Sequence, residues 1–271
     1  MPDPSNPPLP EIPAHRRQGG IFITTGSRVE IPVGGLRINL NDQSIDGSVT
    51  LHMGLDTCPV WAAIAVKHLV EAKSCRERVL AAWHGTDDNL LGNELISEFT
   101  AGVQATTAAA IAIDAFYAQV KEYAPPPAEE VQRWSQNRTA RYKQVAELLR
   151  RAFHISPRNA VQLRKVLKTV YQLRDWSVHP PAGAQATTFH PELHFGTEWR
   201  FVAFAYPNAI QAVRASLSLS WQAANKPNLS SSRLQEYCGG LRTLLAPVVA
   251  EWEPMFGSLS PPVPPPLGQT A

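Results

Sequence analysis

The amino-acid sequence predicts a mainly α-helical protein, an up-and-down helical bundle that follows a small N-terminal β region. Apolar residues recur at helical spacing through most of the chain from Pro59 to Phe256. Proline clusters, such as the one that begins at Pro125, divide this stretch into segments of helix length. Alternation of polar and apolar residues, which is typical of strands, is concentrated before residue 57 and returns near residues 189–204.

The composition is that of a globular protein rather than a disordered one, because 44% of the 271 residues are hydrophobic and 18% are charged. No run of 18 apolar residues occurs, so we expect no membrane span. The first residues have neither the charged segment nor the apolar segment of a secretory signal, so we expect a cytoplasmic location. The three cysteines are far apart and lack CxxC spacing, which argues against a disulfide framework and a zinc site.

The order of these patterns predicts four regions. Residues 1–18 and 258–271 are rich in proline and are expected to be disordered. Residues 19–56 are expected to form a small antiparallel sheet, with candidate strands at 21–25, 28–33, 36–40 and 48–53. Residues 57–257 are expected to form the helical domain. Its candidate helices are 59–83, 89–123 (one long helix or two nearly continuous ones), 129–153, 157–178, 207–223 and 231–256, with a β-hairpin insertion near 189–204.

Positive charge is concentrated in one part of the helical domain. Residues 131–174 contain eleven basic residues and one acid, Glu147, a net charge of +10 in a chain whose total is +2. Such a block either attracts polyanions such as RNA or forms a solvated helix face that pairs with acids elsewhere. Trp134, Tyr142 and Phe153 lie among the basic residues, where aromatic rings stack on bases or, more often, belong to the core. The candidate RNA-binding residues are Arg138, Arg141, Lys143, Arg150, Arg151, Arg164 and Lys168.

A cation and a titratable side chain stand near the end of the predicted helix 157–178. Helical spacing puts Arg174 on an otherwise apolar stripe with Leu167, Tyr171 and Val178, and a guanidinium in that position needs an anionic partner or ligand. His179 precedes a proline at the helix C-terminus, where the helix dipole favours the imidazolium. Phosphodiester cleavage uses both kinds of group, one to stabilise charge and one to transfer protons. We therefore expect this helix end to line a cleft or a two-fold interface.

These residues resemble the Arg-x4-His motif of the HEPN superfamily, with Arg174 and His179 at its two ends. The flanks are similar too, because Tyr171 lies three residues before the arginine and Val-His-Pro closes the motif. Members also share a long helix with the stretch seen here as Ile113-Asp114-Ala115-Phe116-Tyr117, followed by a basic helix. The resemblance covers roughly residues 100–225, which would form a HEPN-like core.

The resemblance implies a metal-independent endoribonuclease, since many members are ribonucleases that act as toxins or antiviral effectors. Arg174 would bind the scissile phosphate, His179 would transfer a proton, and Asp175, in place of the asparagine often found there, would orient both. Asp114 and Tyr171 would support these residues. Family members commonly dimerise so that two motifs form one cleft. The implied partners are RNA, a second copy of the chain and an antitoxin or regulatory protein, and no cofactor is implied.

Two other interpretations of the chain stay open. A non-catalytic HEPN-type module would bind nucleic acid or a protein partner through its basic helices, and Arg174, Asp175 and His179 would then hold only the dimer or the helix end. A structural oligomer would instead make its contacts through the β region. Asp114 is amid apolar residues, so we expect it to be buried and paired with an arginine, which suits a structural ion pair as well as a site.

A metal site is the remaining candidate in the sequence. His190, Glu192 and His194 would lie on the same side of a strand and could ligate a metal ion. Pro191 and the lack of a further ligand argue against that interpretation, so we expect no metal site. Glycine-rich phosphate loops, Ser/His/Asp arrangements and HExxH motifs are absent from the sequence.

Overall fold

A computed structural model describes residues 27–31, 35–41, 44–179, 183, 185–226, 229 and 231–259. The chain divides into two units, residues 1–55 and 56–271, and each is described by itself. The predicted strand 21–25 and the proline-rich segment 1–18 lie outside the described residues, and so does the predicted tail beyond residue 259.

The first unit contains two antiparallel strand pairs. Strand β1 (Ser27–Glu30) pairs with β4 (His52–Leu55), and β2 (Leu36–Asn41) pairs with β3 (Ser44–Val49). The predicted small antiparallel region is therefore present. The predicted strand 48–53 is wrong in detail, because it is divided between β3 and β4. The chain leaves the ladder at Thr50, whose N–H donates instead to the Gly35 carbonyl oxygen at 2.7 Å.

The second unit is helical, and the described residues contain eight helices. They are α1 (Cys58–Trp83), α2 (Asp88–Tyr123), α3 (Ala128–Gln136), α4 (Arg141–Ala152), α5 (Pro157–Val178), α6 (Trp199–Ala203), α7 (Tyr206–Ala224) and α8 (Ser232–Phe256). Two of the helix starts follow directly from the sequence. The Asp87 carboxylate accepts the N–H groups of Asn89 and Leu90, and Ser156 caps α5 immediately before Pro157. The mainly α-helical fold class is confirmed.

The long helix α2 forms the centre of the bundle and packs against α1, α4, α5 and α7. Its buried face is rich in alanine, for example Ala105, Ala109 and Ala112, so neighbouring backbones can approach closely. Gly102 marks the closest approach, since a Cβ there would lie 1.9 Å from the carbonyl oxygen of Phe204. Large side chains such as Phe116 fill the remaining core.

Helix α2 is also the one helix in the described part of the chain that is long and apolar enough to cross a membrane. More than half of its apolar window, 56%, is buried inside the protein. A buried apolar helix of this kind is expected at the centre of a helical bundle, where it packs against other helices rather than lipid.

Two predicted elements differ from the structure. The predicted helix 129–153 is two helices, because residues 137–140 leave the helix and Arg138 adopts a left-handed backbone conformation with φ 46°. The predicted β-hairpin at 189–204 is mostly wrong. Strand β5 (Thr188–Phe189) pairs with β6 (Gly196–Thr197) over two residues each, and the chain then enters α6. Glu198 caps that helix by accepting the N–H of Arg200.

Candidate functional site

A polar groove of about 320 Å³ lies at the C-terminal end of α5. It is open to solvent and combines basic, aromatic and amide side chains from α4 and α5. Its lining residues are Ala140, Arg141, Tyr142, Lys168, Tyr171, Gln172, Arg174, Asp175 and Trp176. Five of them were singled out from the sequence as candidate site residues: Arg141, Lys168, Tyr171, Arg174 and Asp175.

The carboxylate of Asp114, on α2, holds the groove residues together. Its Oδ1 accepts hydrogen bonds from the Tyr171 hydroxyl and from Arg141 Nε, both at 2.8 Å. Its Oδ2 lies 3.6 Å from Nη1 of Arg174. The Asp114 side chain is only 24% exposed, so one partly buried carboxylate positions groups from two other helices. The residues before it on α2, Ala112 and Ile113, are buried in the core.

Burial and charge fix the protonation states of the partners of Asp114. Burial raises the pKa of Tyr171, and the negative charge of Asp114 raises it further, so the phenol stays protonated and donates its hydrogen bond. Burial is the largest single influence on Arg141 and lowers its pKa, but the hydrogen bond to Asp114 and the charge of Asp114 together outweigh it, so the net pKa is raised. The Arg141 guanidinium also stacks over the ring of Tyr117, 4.1 Å from its centroid.

Arg174 is met by two carboxylates, which answers the expectation that a guanidinium on this stripe needs an anionic partner. Besides the contact with Asp114, its Nε and Nη2 lie 3.1 and 3.0 Å from Oδ1 of Asp175. Its guanidinium lies 5.3 Å from the ring centroid of Tyr171. The side chain is 31% exposed and lines the groove. Arg174 is therefore oriented by its neighbours and still accessible to a ligand.

His179 does not line this groove. It caps the C-terminus of α5 with its backbone N–H donating to the Asp175 carbonyl oxygen at 2.7 Å, and its side chain is exposed. The imidazole makes no hydrogen bond or ion pair with a described residue. His179 follows Arg174 by five residues, and five residues of an α-helix turn the side-chain direction by about 140° around the helix axis. The motif spacing therefore directs Arg174 and His179 to different sides of the helix end.

A hydroxyl pair that the sequence did not indicate fixes this helix end to the bundle. The Ser177 hydroxyl donates to the Arg174 carbonyl oxygen at 2.7 Å and lies 2.9 Å from the Thr107 hydroxyl on α2. Trp176 packs edge-on against Trp199 at the start of α6, with 5.1 Å between ring centroids. The sequence could not predict these contacts of Ser177 and Trp176, because their partners lie far away in the chain.

The basic block is partly neutralised inside the protein. Arg150 and Arg151 both bind Glu147, and Arg151 also binds Glu130 at 2.7 Å. The hydrogen bond from Arg150 is the largest influence on Glu147 and, with Arg151, lowers its pKa to about 2. These two arginines therefore fit the alternative of a helix face paired with acids. The other candidate RNA-binding side chains divide into groove residues, Arg141 and Lys168, and exposed residues, Arg138, Lys143 and Arg164.

The aromatic residues of the basic block also divide. Trp134 and Phe153 are buried and belong to the core, as aromatic residues more often do. Tyr142 is half-buried and lines the groove, with the ammonium of Lys143 6.0 Å from its ring centroid. Trp176 lines the polar groove as well as a second, mainly apolar groove of about 520 Å³ between α5 and α7.

The residues considered for a metal site serve a different interaction. His190 is buried, and its Nδ1 accepts the backbone N–H groups of Glu192 and Leu193 at 3.3 and 3.2 Å. The Glu192 carboxylate lies 2.5 Å from the guanidinium of Arg76, which also contacts Glu98. Within the described ranges, no three side chains of histidine, cysteine, aspartate or glutamate are grouped to hold a metal ion.

No family model, curated protein or solved structure matches this chain. The groove itself offers three cations, two carboxylates that orient the two arginines among them, and three aromatic side chains.

Proposed function

We propose that this chain is a HEPN-type protein that binds RNA in the polar groove and cleaves it without a metal ion. The observation that carries the proposal is the position of Arg174, which two carboxylates orient and which still lines an open groove beside Arg141 and Lys168. Three cations in one groove suit the phosphates of a nucleic-acid backbone.

Arg174 would contact the scissile phosphate, and Arg141 and Lys168 would contact the same or a neighbouring phosphate. Asp175 would hold the Arg174 guanidinium in position. His179 would transfer protons, and because it does not line the groove of its own chain, a second copy would supply it. The proposed active form is therefore a homodimer in which two motif helices share a cleft.

The reaction that suits these groups is attack by the ribose 2′-OH on the adjacent phosphorus. The new bond joins the 2′-oxygen to phosphorus and the bond to the 5′-oxygen breaks, which leaves a 2′,3′-cyclic phosphate and a free 5′-OH. The 2′-OH loses a proton and the leaving 5′-oxygen gains one, and His179 would carry such a proton. Arg174 would stabilise the charge that develops on the phosphoryl oxygens. DNA lacks the 2′-OH and should survive.

The direct test is incubation of the purified protein with total RNA in EDTA, followed by analysis of the product ends. We expect cyclic or 3′-phosphate ends. His179→Ala should lose rate far more than affinity, since proton transfer acts in the transition state. Arg174→Ala should lower both the cleavage rate and the affinity for RNA, because a phosphate contact stabilises the bound substrate and the transition state alike. A requirement for Mg²⁺, or equal cleavage of single-stranded DNA, would contradict the mechanism.

A mixing experiment tests the shared cleft. Arg174→Ala and His179→Ala are each expected to be inactive, yet a mixture that exchanges subunits should regain activity, because each mixed dimer keeps Arg174 from one copy and His179 from the other. The double variant, Arg174→Ala/His179→Ala, mixed with itself is the matched control and should stay inactive. Full activity of a strictly monomeric protein would contradict a site made by two copies.

A non-catalytic RNA-binding module is the second candidate. It is favoured by the pairing of Arg174 with Asp114 and Asp175, which leaves this cation partly neutralised, and by the position of His179 outside the groove. In that case RNA would bind with strong salt dependence but stay intact, and His179→Ala would behave as the unmodified protein.

The biological setting that we propose is cytoplasmic, as a toxin or antiviral effector whose activity an antitoxin or other regulatory protein controls. Expression without such a partner should arrest growth if the chain is a toxin. The His179→Ala variant should then be harmless at the same protein level. Equal growth arrest by both proteins would show that the arrest does not come from RNA cleavage.

A further inference from the structure

The polar groove has an aromatic part as well as a basic part. Tyr142, the second residue of α4, lines it from one helix, and Trp176 lines it from α5. Phosphate recognition alone needs only the cations. Tyr142 and Trp176 are both half-buried, so part of each side chain stays accessible beside the cations. Accessible aromatic rings beside cations are the combination by which proteins hold unpaired bases together with their backbone.

We infer that the groove is a nucleotide subsite in which an unpaired RNA base stacks on Tyr142 while its phosphate contacts Arg141, Lys168 and Arg174. This inference rests on the proposed RNA-directed function and adds the form of RNA that the site takes. A base inside a duplex has both faces covered by its neighbours, so it offers no free face to Tyr142. The substrate is therefore single-stranded RNA, or a loop, at the position that occupies the groove.

The size and polarity of the groove agree with one nucleotide unit. Its volume of about 320 Å³ is at the lower end of the range for small-molecule sites, which begins at roughly 300 Å³. The exposed amide of Gln172 supplies both a donor and an acceptor, the two groups needed for the edge of a base. Cations and aromatic rings occur in the same wall, since Arg141 and Tyr142 are consecutive residues of α4.

Three aromatic residues outside the groove lining do not offer such a surface. Trp134 and Phe153 are buried in the core, so their rings are not available to a ligand. Phe189 is 62% exposed but does not line the groove, which makes it a matched control for an exposed aromatic ring. The position of Tyr142 in the groove, rather than aromatic character as such, is what distinguishes it.

The test is fluorescence anisotropy with the full-length protein and labelled 2′-fluoro uridine decamers, which lack the attacking hydroxyl and cannot be cleaved by the proposed mechanism. Three probes are compared: the single strand, a strand with abasic central positions, and a fully paired duplex. The variants are Tyr142→Leu, Tyr142→Phe, which keeps a ring, and Phe189→Leu. Circular dichroism melting reports whether each variant is folded.

Tyr142→Leu should weaken single-strand binding roughly fivefold to a hundredfold, whereas Tyr142→Phe and Phe189→Leu should stay within about twofold. The unmodified protein should bind the abasic strand and the duplex more weakly than the single strand, and Tyr142→Leu should not weaken the abasic strand further. This comparison of probes needs no substitution and therefore holds even if Tyr142→Leu does not fold.

Equal binding of abasic and base-containing strands, or no effect of Tyr142→Leu in a folded protein, would overturn the stacking subsite. Either result leaves the proposed ribonuclease intact, because cleavage of total RNA in EDTA is measured independently. Suppose that the single strand binds and that abasic positions and Tyr142→Leu weaken binding as expected, but total RNA is not cleaved. That result would refute the catalytic proposal and support the subsite. Failure of all three probes to bind would refute both.

Discussion

Removing the Tyr171 hydroxyl tests whether Asp114 organises the candidate site. The Tyr171→Phe substitution deletes a hydrogen bond of 2.8 Å between a buried phenol and a carboxylate, and the ring stays in place. A hydrogen bond to a charged group contributes about 1.5–3 kcal/mol. Asp114 keeps its bond to Arg141, so we expect the lower part of that range, about 1.5–2 kcal/mol. For a domain of this size, such a loss lowers Tm by roughly 3–8 °C.

The measurement is urea unfolding of four proteins: unmodified, Tyr171→Phe, Asp114→Ala and the double variant. Asp114→Ala already removes the acceptor of the Tyr171 hydroxyl, so the double variant should be more stable than the sum of the single losses predicts, by about 1 kcal/mol. Tyr117→Phe is the matched control, because this neighbouring tyrosine is also buried but its hydroxyl donates no hydrogen bond within the described residues.

Two results would refute the assigned role of Asp114. One is additive losses in the double variant, which would mean that Tyr171 and Asp114 do not interact. The other is a Tyr117→Phe variant that loses as much stability as Tyr171→Phe, since the loss would then come from the ring environment and not from the hydrogen bond.

Three further predictions concern packing, acid stability and charge in the groove. Gly102→Ala should destabilise the protein by about 1–3 kcal/mol, read as a lower Tm, because its Cβ meets the Phe204 carbonyl at 1.9 Å; an unchanged Tm would contradict this packing. The folded-state pKa of Glu147 is lowered from 4.5 to about 2, so its contribution is full above pH 4.5 and lost as pH falls towards 2. Glu147→Gln should therefore lower the free energy of unfolding by about 1–2 kcal/mol at pH 6, after solvent screening, and by little near pH 2. Urea unfolding at several pH values measures this, and an equal loss at both pH values would contradict it. In the proposed ribonuclease, Asp175→Ala should tighten RNA binding by removing a negative charge but slow cleavage by releasing Arg174; weaker RNA binding in anisotropy, or an unchanged cleavage rate, would contradict this.

Most helices could be predicted because their ends have local causes. Ser156 before Pro157 and Asp87 before α2 cap their helices in the structure as their residue types predict. The break between α3 and α4 could not be predicted in the same way. It depends on Arg138 in a left-handed conformation, which glycine and asparagine adopt far more readily than arginine.

Burial in α5 shows where periodicity misleads. Leu167 and Tyr171 are buried as the apolar stripe predicts, but Val178 on the same stripe is 56% exposed. Val166, the residue before Leu167, is 44% exposed and lines the apolar groove. Periodicity identifies the side of a helix that can face a core, whereas the neighbouring helices decide how far that core extends. The hairpin at 189–204 is wrong for a related reason, because alternation near Phe189 does not pair beyond two residues.

The candidate site was predictable residue by residue but not as an arrangement. The apolar residues around Asp114 indicate that it needs an arginine partner, and helical spacing indicates that Arg174 needs an anionic one. Neither pattern indicates that Arg141, 27 residues from Asp114, is the closer partner at 2.8 Å. That contact depends on how α4 packs against α2 and α5, which local sequence does not encode.

The charges around the groove are consistent with the proposal that it binds a singly charged phosphodiester. Arg141, Arg174 and Lys168 carry three positive charges, and the carboxylates of Asp114 and Asp175 that bind the arginines carry two negative ones. The remainder is one positive charge, which one phosphodiester would neutralise. Asp114 is partly buried and accepts a hydrogen bond from the buried phenol of Tyr171, which holds its carboxylate in position beside the two arginines. In the proposed ribonuclease, arginines held in place before RNA binds would supply the preorganised positive charge that stabilises a developing phosphorane.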